Sequence, residues 1–409
     1  MENFNEILEA YKGAKMLVVG AGGGGSNAIN YMISQNVKGV DFAIVNTDIQ
    51  AIQESIAPKK LQIGIKLTRG LGAGANPEIG RKAAEESIED IEAMLEGYDL
   101  VFVAVGLGGG SGTGSAPVVA EVARRKGILT VAVVTLPFGF EGRSRMKKAM
   151  EGKRELTEHV DTIITIPNDR LTGHVQALGK KFNMKKAFEE VNNVLLQAVT
   201  GITNLITKPG LINLDFADVK TIMSIRGASL MGMGVGTGED RIRQATEAAM
   251  RNPLLEQGID GAQGILFNIT GNENLDYEDF ILANEIISQY ISEDAEIITG
   301  TVLDETIPED TVYVTVVATG FPELNKQVAA PMANNARLVN SLQDRNMERR
   351  PVAERAPMME RTPMMEREPV QQPIVEEQYE GNNDFVTKEM NSIFEGLDMP
   401  SFMRNLGRN

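Results

Sequence analysis

The chain has 409 residues, and 42% of them are apolar, which is enough for sizeable cores and predicts two or three domains. A formal net charge of −16 argues against a surface that binds nucleic acid or an anionic membrane over the whole molecule. The absence of cysteine excludes disulfides, a thiolate nucleophile and zinc sites built from cysteine.

Short apolar runs alternate with helix-length segments over the first 166 residues. Such alternation is typical of a mostly parallel, doubly wound sheet whose ligand binds at the carboxyl ends of the strands. The predicted strands are Met16–Val19, Asp41–Val45, Leu61–Ile63, Leu100–Val105, Thr130–Val134 and Thr162–Ile166.

Two glycine-rich segments follow predicted strands at that edge. The first, Gly20–Gly25, leads into a helix expected near Asn27, and the second, Gly106–Gly114, leads into a helix expected from Ala116. Glycines allow consecutive backbone N–H groups to turn toward a phosphate, and a following helix adds its positive end. The second segment lacks the lysine of a P-loop, and its alternative is a flexible linker. Two such loops are better explained by one nucleotide held from two sides.

The spacing of apolar residues predicts one long helix over Asn183–Thr207, ending before Pro209, as a spine between two units. Residues 208–320 are predicted to form a second α/β unit. Its strands are expected near Gly227–Met233, Gly264–Thr270, Glu296–Thr301 and Thr311–Ala318, and its helices near Glu239–Met250 and Tyr277–Ile291. Beyond residue 322 the chain is rich in Arg, Glu, Met and Pro, which predicts a disordered linker.

The run Gly108–Gly114 resembles the signature of the tubulin/FtsZ family, and the chain as a whole resembles its FtsZ branch, the cell-division GTPases of bacteria and many archaea. The resemblance covers roughly residues 12–320 and a short terminal motif. Ser111 stands where the family usually has threonine, which keeps the hydroxyl. The matching segments are Asn46–Gln50, Gly72–Pro77, Pro137–Phe138, Glu141–Arg143, Pro167–Arg170 and Asn213–Asp218.

The resemblance implies a tubulin/FtsZ-like α/β fold with a Rossmann-like, doubly wound GTP-binding domain, a long central helix, a smaller α/β domain and a disordered C-terminal tail. The expected divisions are an N-terminal extension over 1–11, the GTP-binding domain over 12–182, the central helix over 183–207, the C-terminal α/β domain over 208–322, the linker over 323–383 and an adaptor-binding peptide over 384–409.

The expected ligands are GTP or GDP with Mg²⁺. Asn46 and Asp48 follow a strand where they can order Mg²⁺ and its waters, Asp48 being the one metal residue expected, although the pair is also a common turn former. Asn76 is expected to cap a helix over Glu78–Leu95, and by resemblance its loop senses the γ-phosphate. The other phosphate-side residues are Gly22, Gly23, Gly24, Gly25, Asn27, Ala73, Gly74, Ala75, Gly108, Gly109, Gly110, Ser111, Gly112, Thr113, Gly114 and Pro137.

For the nucleoside, the resemblance implies that Glu141 binds the ribose and that Arg145 approaches the sugar or phosphates, and the alternative for each is a surface polar residue. It assigns Asn168 and Asn192 to the guanine edge. Phe188 is expected to stack on guanine, and core packing is its alternative.

Asn213, Asp215 and Asp218 carry groups that can orient a water for attack on the γ-phosphate, and the alternative for the acids is a helix cap and a solvated carboxylate. They follow the end of the predicted spine, whereas Phe188 and Asn192 begin it, roughly 25–30 Å away. One nucleotide cannot touch both ends, so the acids are expected to act on a nucleotide bound by a neighbouring subunit. Such a head-to-tail contact is heterologous and need not close, so it is expected to build a filament.

The terminal motif resembles the family's C-terminal peptide, which binds membrane-tethering division adaptors through residues corresponding to Asp398, Pro400, Phe402 and Arg404. No signal-peptide core or apolar run of bilayer length is found, so we expect a cytoplasmic protein that assembles at the division site without inserting into the membrane or binding nucleic acid. The alternatives are a tubulin-like filament for plasmid segregation or cell shape, and an NAD-dependent oxidoreductase using Gly20–Gly25.

Overall fold

The structure is a computed structural model that describes residues 13–171, 183–208, 214–225, 227–251, 259, 261–291 and 294–321. The strands are β1 Met16–Ala21, β2 Asp41–Asn46, β3 Lys59–Gln62, β4 Leu100–Gly106, β5 Leu129–Leu136, β6 Thr162–Pro167, β7 Ala228–Thr237, β8 Gly264–Gly271, β9 Glu296–Leu303 and β10 Thr311–Phe321. Each of these ten strands overlaps a segment predicted as a strand, and their ends differ by a few residues at most.

The helices are α1 Gly22–Ser34, α2 Ile49–Glu54, α3 Ile65–Thr68, α4 Pro77–Glu86, α5 Ile88–Met94, α6 Ser111–Arg125, α7 Arg143–His159, α8 Met184–Thr207, α9 Phe216–Met223, α10 Arg241–Met250 and α11 Tyr277–Ser288. A 3₁₀ turn, Gly139–Glu141, follows β5. Within these described segments no helix is both long and apolar enough to cross a bilayer.

The sheet begins with six parallel strands in the order β3-β2-β1-β4-β5-β6. The order reverses between β1 and β4, which pair side by side up to Ala21 and Val105. Parallel doubly wound sheets bind ligands at this reversal, outside the carboxyl ends of the strands. Both glycine-rich segments follow those two strands, so the topology brings them to one place.

The sheet continues into the second half of the chain. Strands β7, β10 and β8 are antiparallel neighbours, and β9 lies parallel to β8 at the far edge. Only two residue pairs, Ile163 with Ala228 and Ile164 with Ser229, join β6 to β7. The two predicted α/β units therefore share one ten-stranded sheet through a narrow junction.

Helix α8 is the predicted spine. Its N-cap is Asn183, whose side chain accepts a hydrogen bond from the Lys186 amide at 2.8 Å. Its buried face packs in a core that also contains side chains of α1, α9 and the central strands of both halves. At its far end Lys208 Nζ lies 2.6 Å from the Asp304 carboxylate. Burial raises the pKa of Asp304, but hydrogen bonds from Lys208 and Thr306 outweigh it, so the pKa is lowered overall.

The helix predicted over Glu78–Leu95 is wrong as one element, because it breaks at Ser87 into α4 and α5. The Ser87 hydroxyl accepts a hydrogen bond from the Gly64 amide at 3.2 Å, and the Glu86 carboxylate accepts from the amides of Lys66 and Leu67. Docking of α3 on this point supplies tertiary hydrogen bonds that favour the break over a continuous helix.

Two predicted helix starts are also wrong. Helix α1 begins at Gly22 and not near Asn27, and α6 begins at Ser111 and not at Ala116. Low helix propensity argues against glycine in a helix, but these glycines occupy first turns, where backbone packing decides the conformation.

Candidate functional site

The two glycine-rich loops touch each other through their backbones. Gly22 has a positive φ of 66°, and a methyl group there would lie 2.6 Å from Gly112 Cα. A methyl group on Gly112 would lie 2.6 Å from the Ala21 carbonyl oxygen. The close approach explains why both positions are glycine. Helices α1 and α6 therefore open side by side, and their first-turn N–H groups and positive ends are of the kind that suits a phosphate.

Not every predicted glycine faces that site. A methyl group on Gly25 would lie 2.7 Å from the Gly20 carbonyl carbon, and one on Gly114 would lie 2.5 Å from the Arg81 amide nitrogen. These two glycines are buried and allow α1 and α6 to pack closely on their neighbours. Gly23, Gly24 and Asn27 are exposed, and Gly109 borders open space. The buried Thr113 hydroxyl accepts from the Gly108 amide at 2.8 Å and closes the second loop.

A third segment, Gly72–Asn76, lies against the second loop, and we call it the γ-loop. A methyl group on Gly110 would lie 2.8 Å from the Asn76 amide nitrogen and 2.9 Å from Ala73 Cβ. The predicted N-cap is confirmed, because the Asn76 side chain accepts from the Glu78 amide at 3.1 Å and Pro77 opens α4. The γ-loop thus adds a further helix N-terminus beside the glycine loops.

Asn46 and Asp48 also lie at this edge, where they form the turn that was the alternative interpretation. Asn46 Oδ1 accepts from the Asp48 amide at 3.3 Å, and Asp48 Oδ1 accepts from the Gln50 amide at 2.9 Å as the N-cap of α2. Across the described ranges no cluster of three or more metal-binding side chains occurs. Any Mg²⁺ here must take most of its ligands from phosphates and water, with Asp48 as the available carboxylate.

Thr47, between those two residues, was missed by the sequence analysis. Its hydroxyl lies 2.6 Å from the Ser111 hydroxyl, and its carbonyl accepts from the Gly72 amide at 3.3 Å. Thr47 is fully buried and joins the β2 turn to both the second glycine loop and the γ-loop. The available signal was a polar residue at the carboxyl end of a parallel strand beside Asn46 and Asp48.

Aromatic side chains mark the other side of the site. Phe188, in the first turns of α8, is 44% exposed and makes an edge-to-face contact with buried Phe138 at 5.5 Å between ring centroids. The next residue, Gly139, donates its amide to Asp169 Oδ1 at 2.9 Å. Phe188 and Asn168 therefore both adjoin the segment that follows β5, and Phe188 keeps surface for stacking while also serving in packing.

Asn168 is buried, yet its Oδ1 atom has no hydrogen-bond partner in the described part of the chain. Buried amide oxygens are nearly always paired, so an unpaired one at a site suggests a ligand donor. The guanine edge offers N–H donors of this kind. Asn192, one turn beyond Phe188, is half-buried.

Glu141 and Arg145 form an ion pair of 3.0 Å, and Glu141 also accepts from the Phe138 amide at 2.9 Å. A methyl group on Gly108 would lie 2.8 Å from Arg145 Cγ and 2.9 Å from Pro137 Cγ. Arg145 and Pro137 therefore adjoin the second glycine loop. The Glu141 carboxylate is held by these internal contacts, and its contact with ribose stays a prediction.

The two acids lie beyond the other end of α8, since Leu214, just before them, and Leu205, in the last turns of the helix, both adjoin Gly300. Asp215 caps α9 by accepting from the Asp218 amide at 2.8 Å, and Asp218 accepts from the Asp215 amide at 3.1 Å. From Phe188 to Thr207 the helix rises about 28 Å. Asn213 lies outside the described residues, as do Asp398, Pro400, Phe402 and Arg404.

Comparisons with known proteins agree with this geometry. Residues 15–176 match the GTPase domain of the Tubulin/FtsZ family, and residues 227–322 match the C-terminal domain of the FtsZ family. The cell division protein FtsZ of Pseudomonas aeruginosa is 52% identical over 309 residues, which are 75% of this chain and 77% of the relative.

Solved structures give the same result. An empty FtsZ dimer from M. jannaschii is 45% identical with a TM-score of 0.72, over 78% of this chain and 92% of that chain. The GDP-bound monomer of CetZ1 from Haloferax volcanii, 19% identical over 76% of this chain and 96% of that chain, has a TM-score of 0.65 and shares the fold.

The fold and its phosphate loops thus define a tubulin-like GTPase that binds guanine nucleotide. Within that class, the chain belongs to the FtsZ family of cell-division proteins. The family match confirms the recognised resemblance and decides against the NAD-dependent oxidoreductase.

Proposed function

We propose that the chain forms head-to-tail filaments of the division ring, in which each GTP is bound by one subunit and hydrolysed with the acids of the next. The observation that carries this proposal is the placement of two functional groups at opposite ends of α8. The nucleotide side has Phe188 in the first turns, and the acids Asp215 and Asp218 follow the last turn, about 28 Å away along the helix.

A single molecule cannot bring its own acids to its own nucleotide across that distance. Stacking a second copy on the glycine-loop face would bring Asp215 and Asp218 of one subunit over the phosphates of the other. This contact joins two different surfaces, so it need not close on itself, and an open series of such contacts is a filament. Hydrolysis then removes the γ-phosphate at the contact, which couples turnover to disassembly. The test measures GTP turnover in a mixture of two inactive variants, one without a working nucleotide site and one without an acid.

At the phosphates, backbone N–H groups of the glycine loops and the γ-loop would bind the oxyanions, with Arg145 beside the second loop. Asp48 would hold Mg²⁺, mostly through water and phosphates, and the ion would supply positive charge that neutralises the phosphates. Asp215 and Asp218, together with Asn213, would orient and polarise the attacking water in the adjacent subunit. GTP turnover is measured after Mg²⁺ is removed and again after it is added back. We expect turnover to be lost and then restored, which checks the role of the ion.

Phe188→Ala is expected to raise the dissociation constant for GTP about tenfold, because stacking of a base on an aromatic ring contributes that order of affinity. The matched control is Phe140→Ala, which removes a 61% exposed ring from the same aromatic cluster, where it stacks on Phe138. Equilibrium binding of GTP, at protein concentrations below assembly, checks the effect. Equal losses in the two variants would show that the cluster is needed only for packing.

We further propose the domain divisions given by the sequence, with 323–383 as a linker and 384–409 as a docking peptide for adaptors that attach the filament to the membrane at the division site. Met399, Phe402 and Met403 are apolar anchors, and Arg404 adds a charged contact. Many copies of this peptide on one filament would combine weak contacts into a strong overall attachment, which is avidity.

Deleting residues 398–409 is expected to leave polymerisation unchanged and to abolish adaptor recruitment, measured by pelleting with vesicles. Undiminished recruitment would disprove this role.

A further inference from the structure

The backbone of the γ-loop adopts conformations that most residues avoid. Gly72 and Gly74 have positive φ angles of 80° and 56°, and Ala75 also has a positive φ, 56°. A left-handed conformation is unfavourable for alanine, because its Cβ crowds the following carbonyl oxygen. Such residues persist where the surrounding structure holds them.

One contact that holds the γ-loop comes from α7. Lys148 Nζ donates a hydrogen bond to the Ala75 carbonyl oxygen at 2.6 Å, and Lys148 is partly buried. A charged donor makes this bond stronger than one between neutral groups. The other end of the loop is tied by the Gly72 amide to the Thr47 carbonyl at 3.3 Å.

The contact fixes more than one atom. The Ala75 carbonyl and the Asn76 amide belong to the same planar peptide, so a donor on that carbonyl also sets the direction of the amide. A methyl group on Gly110 would lie 2.8 Å from the Asn76 nitrogen and 3.1 Å from the Ala75 nitrogen. Both nitrogens therefore adjoin the phosphate loop, and the Asn76 amide closes the turn by donating to the Ala73 carbonyl at 3.0 Å while the Ala75 carbonyl is held from α7.

We propose that Lys148 is a positioning residue that fixes the γ-loop for the terminal phosphate of GTP. It acts through the Ala75 carbonyl, and it gives the site a lysine that the glycine loops themselves lack. The inference rests on the proposed function in one respect, namely that the γ-loop contacts the γ-phosphate. GDP does not reach that loop, so Lys148 affects GTP and leaves GDP binding nearly unchanged.

The test compares Lys148→Met with Lys148→Arg, which keeps the charge and donors, and with Lys147→Met. Lys147 is the adjacent lysine of α7, its side chain is 79% exposed, and it pairs only loosely with Glu151 at 3.8 Å. Affinities for GTP and for GDP are measured separately below the assembly concentration. Hydrogen exchange at the amides of residues 73–76 is followed in each nucleotide state.

Lys148→Met is expected to weaken GTP binding by roughly three- to tenfold, because that is the loss that one charge-assisted hydrogen bond represents. GDP binding should weaken by less than about twofold. Exchange in the γ-loop of this variant should quicken with GTP bound. Lys148→Arg should restore most of the difference, and Lys147→Met should match the unsubstituted protein. Equal weakening of GTP and GDP, or none, would overturn the role of Lys148.

The same measurements separate this inference from the function on which it rests. If the unsubstituted protein protects residues 73–76 from exchange equally with GTP and GDP, the γ-loop does not contact the γ-phosphate and the proposed function itself is at fault. If protection is specific to GTP and survives in Lys148→Met, the phosphate contact stands and only the positioning role fails.

Discussion

Asp218→Asn and Asp215→Asn are each expected to leave GTP binding unchanged and to lower GTP hydrolysis by a factor of about 100 or more, the range associated with loss of a positioned acid or base. Filaments should form and persist, because the γ-phosphate stays in place at the subunit contact. Steady-state phosphate release, light scattering and nucleotide affinity, measured on the same sample, check the three parts of this result.

Asparagine is the informative substitution because both acids also cap α9. The amide oxygen of asparagine can still accept the backbone N–H groups that Asp215 and Asp218 now accept, so the helix start is preserved while the carboxylate charge is lost. Asp276→Asn makes the same change in the capping box of α11 and calibrates any effect on the free energy of unfolding. Loss of GTP affinity in the two α9 variants would contradict the assignment of the acids to hydrolysis.

Much of the fold follows from the period of the apolar residues, because buried parallel strands are continuous apolar runs. Leu100–Val105 is such a run, and β4 has those residues fully buried. The spine was also predictable, since Val191, Leu195 and Val199 recur on one face and are buried there. The glycine loops were placed correctly because topology alone puts the ends of β1 and β4 together.

The remaining features depend on contacts that no local pattern shows. The break at Ser87 arises from a hydrogen bond to Gly64, and the early starts of α1 and α6 arise from the packing of Gly22 against Gly112. Thr47 and Lys148 received no predicted role because neither a threonine within a matching segment nor a lysine in a basic helix shows its contact partners in the sequence. Their roles appear only when their partners, Ser111 and Ala75, are in place.

Restoration of activity by mixing two inactive proteins is the second large effect that we expect. Asp218→Asn keeps an intact nucleotide site and loses an acid. Gly109→Asp places a carboxylate in open space at the phosphate loop, where it repels phosphates without displacing neighbours, and its acids remain intact. Gly109→Ala fills the same space without charge and should retain GTP binding, which makes it the matched control.

The decisive measurement is GTP turnover in an equimolar mixture of Asp218→Asn and Gly109→Asp. Each protein alone should be nearly inactive, whereas under random association about one contact in four joins an intact nucleotide site to an intact pair of acids, so the mixture should recover up to about a quarter of the full rate. A chain that carries both substitutions should restore no GTP turnover when it is mixed with Asp218→Asn. Turnover in the first mixture equal to the sum of the separate rates would contradict hydrolysis between subunits.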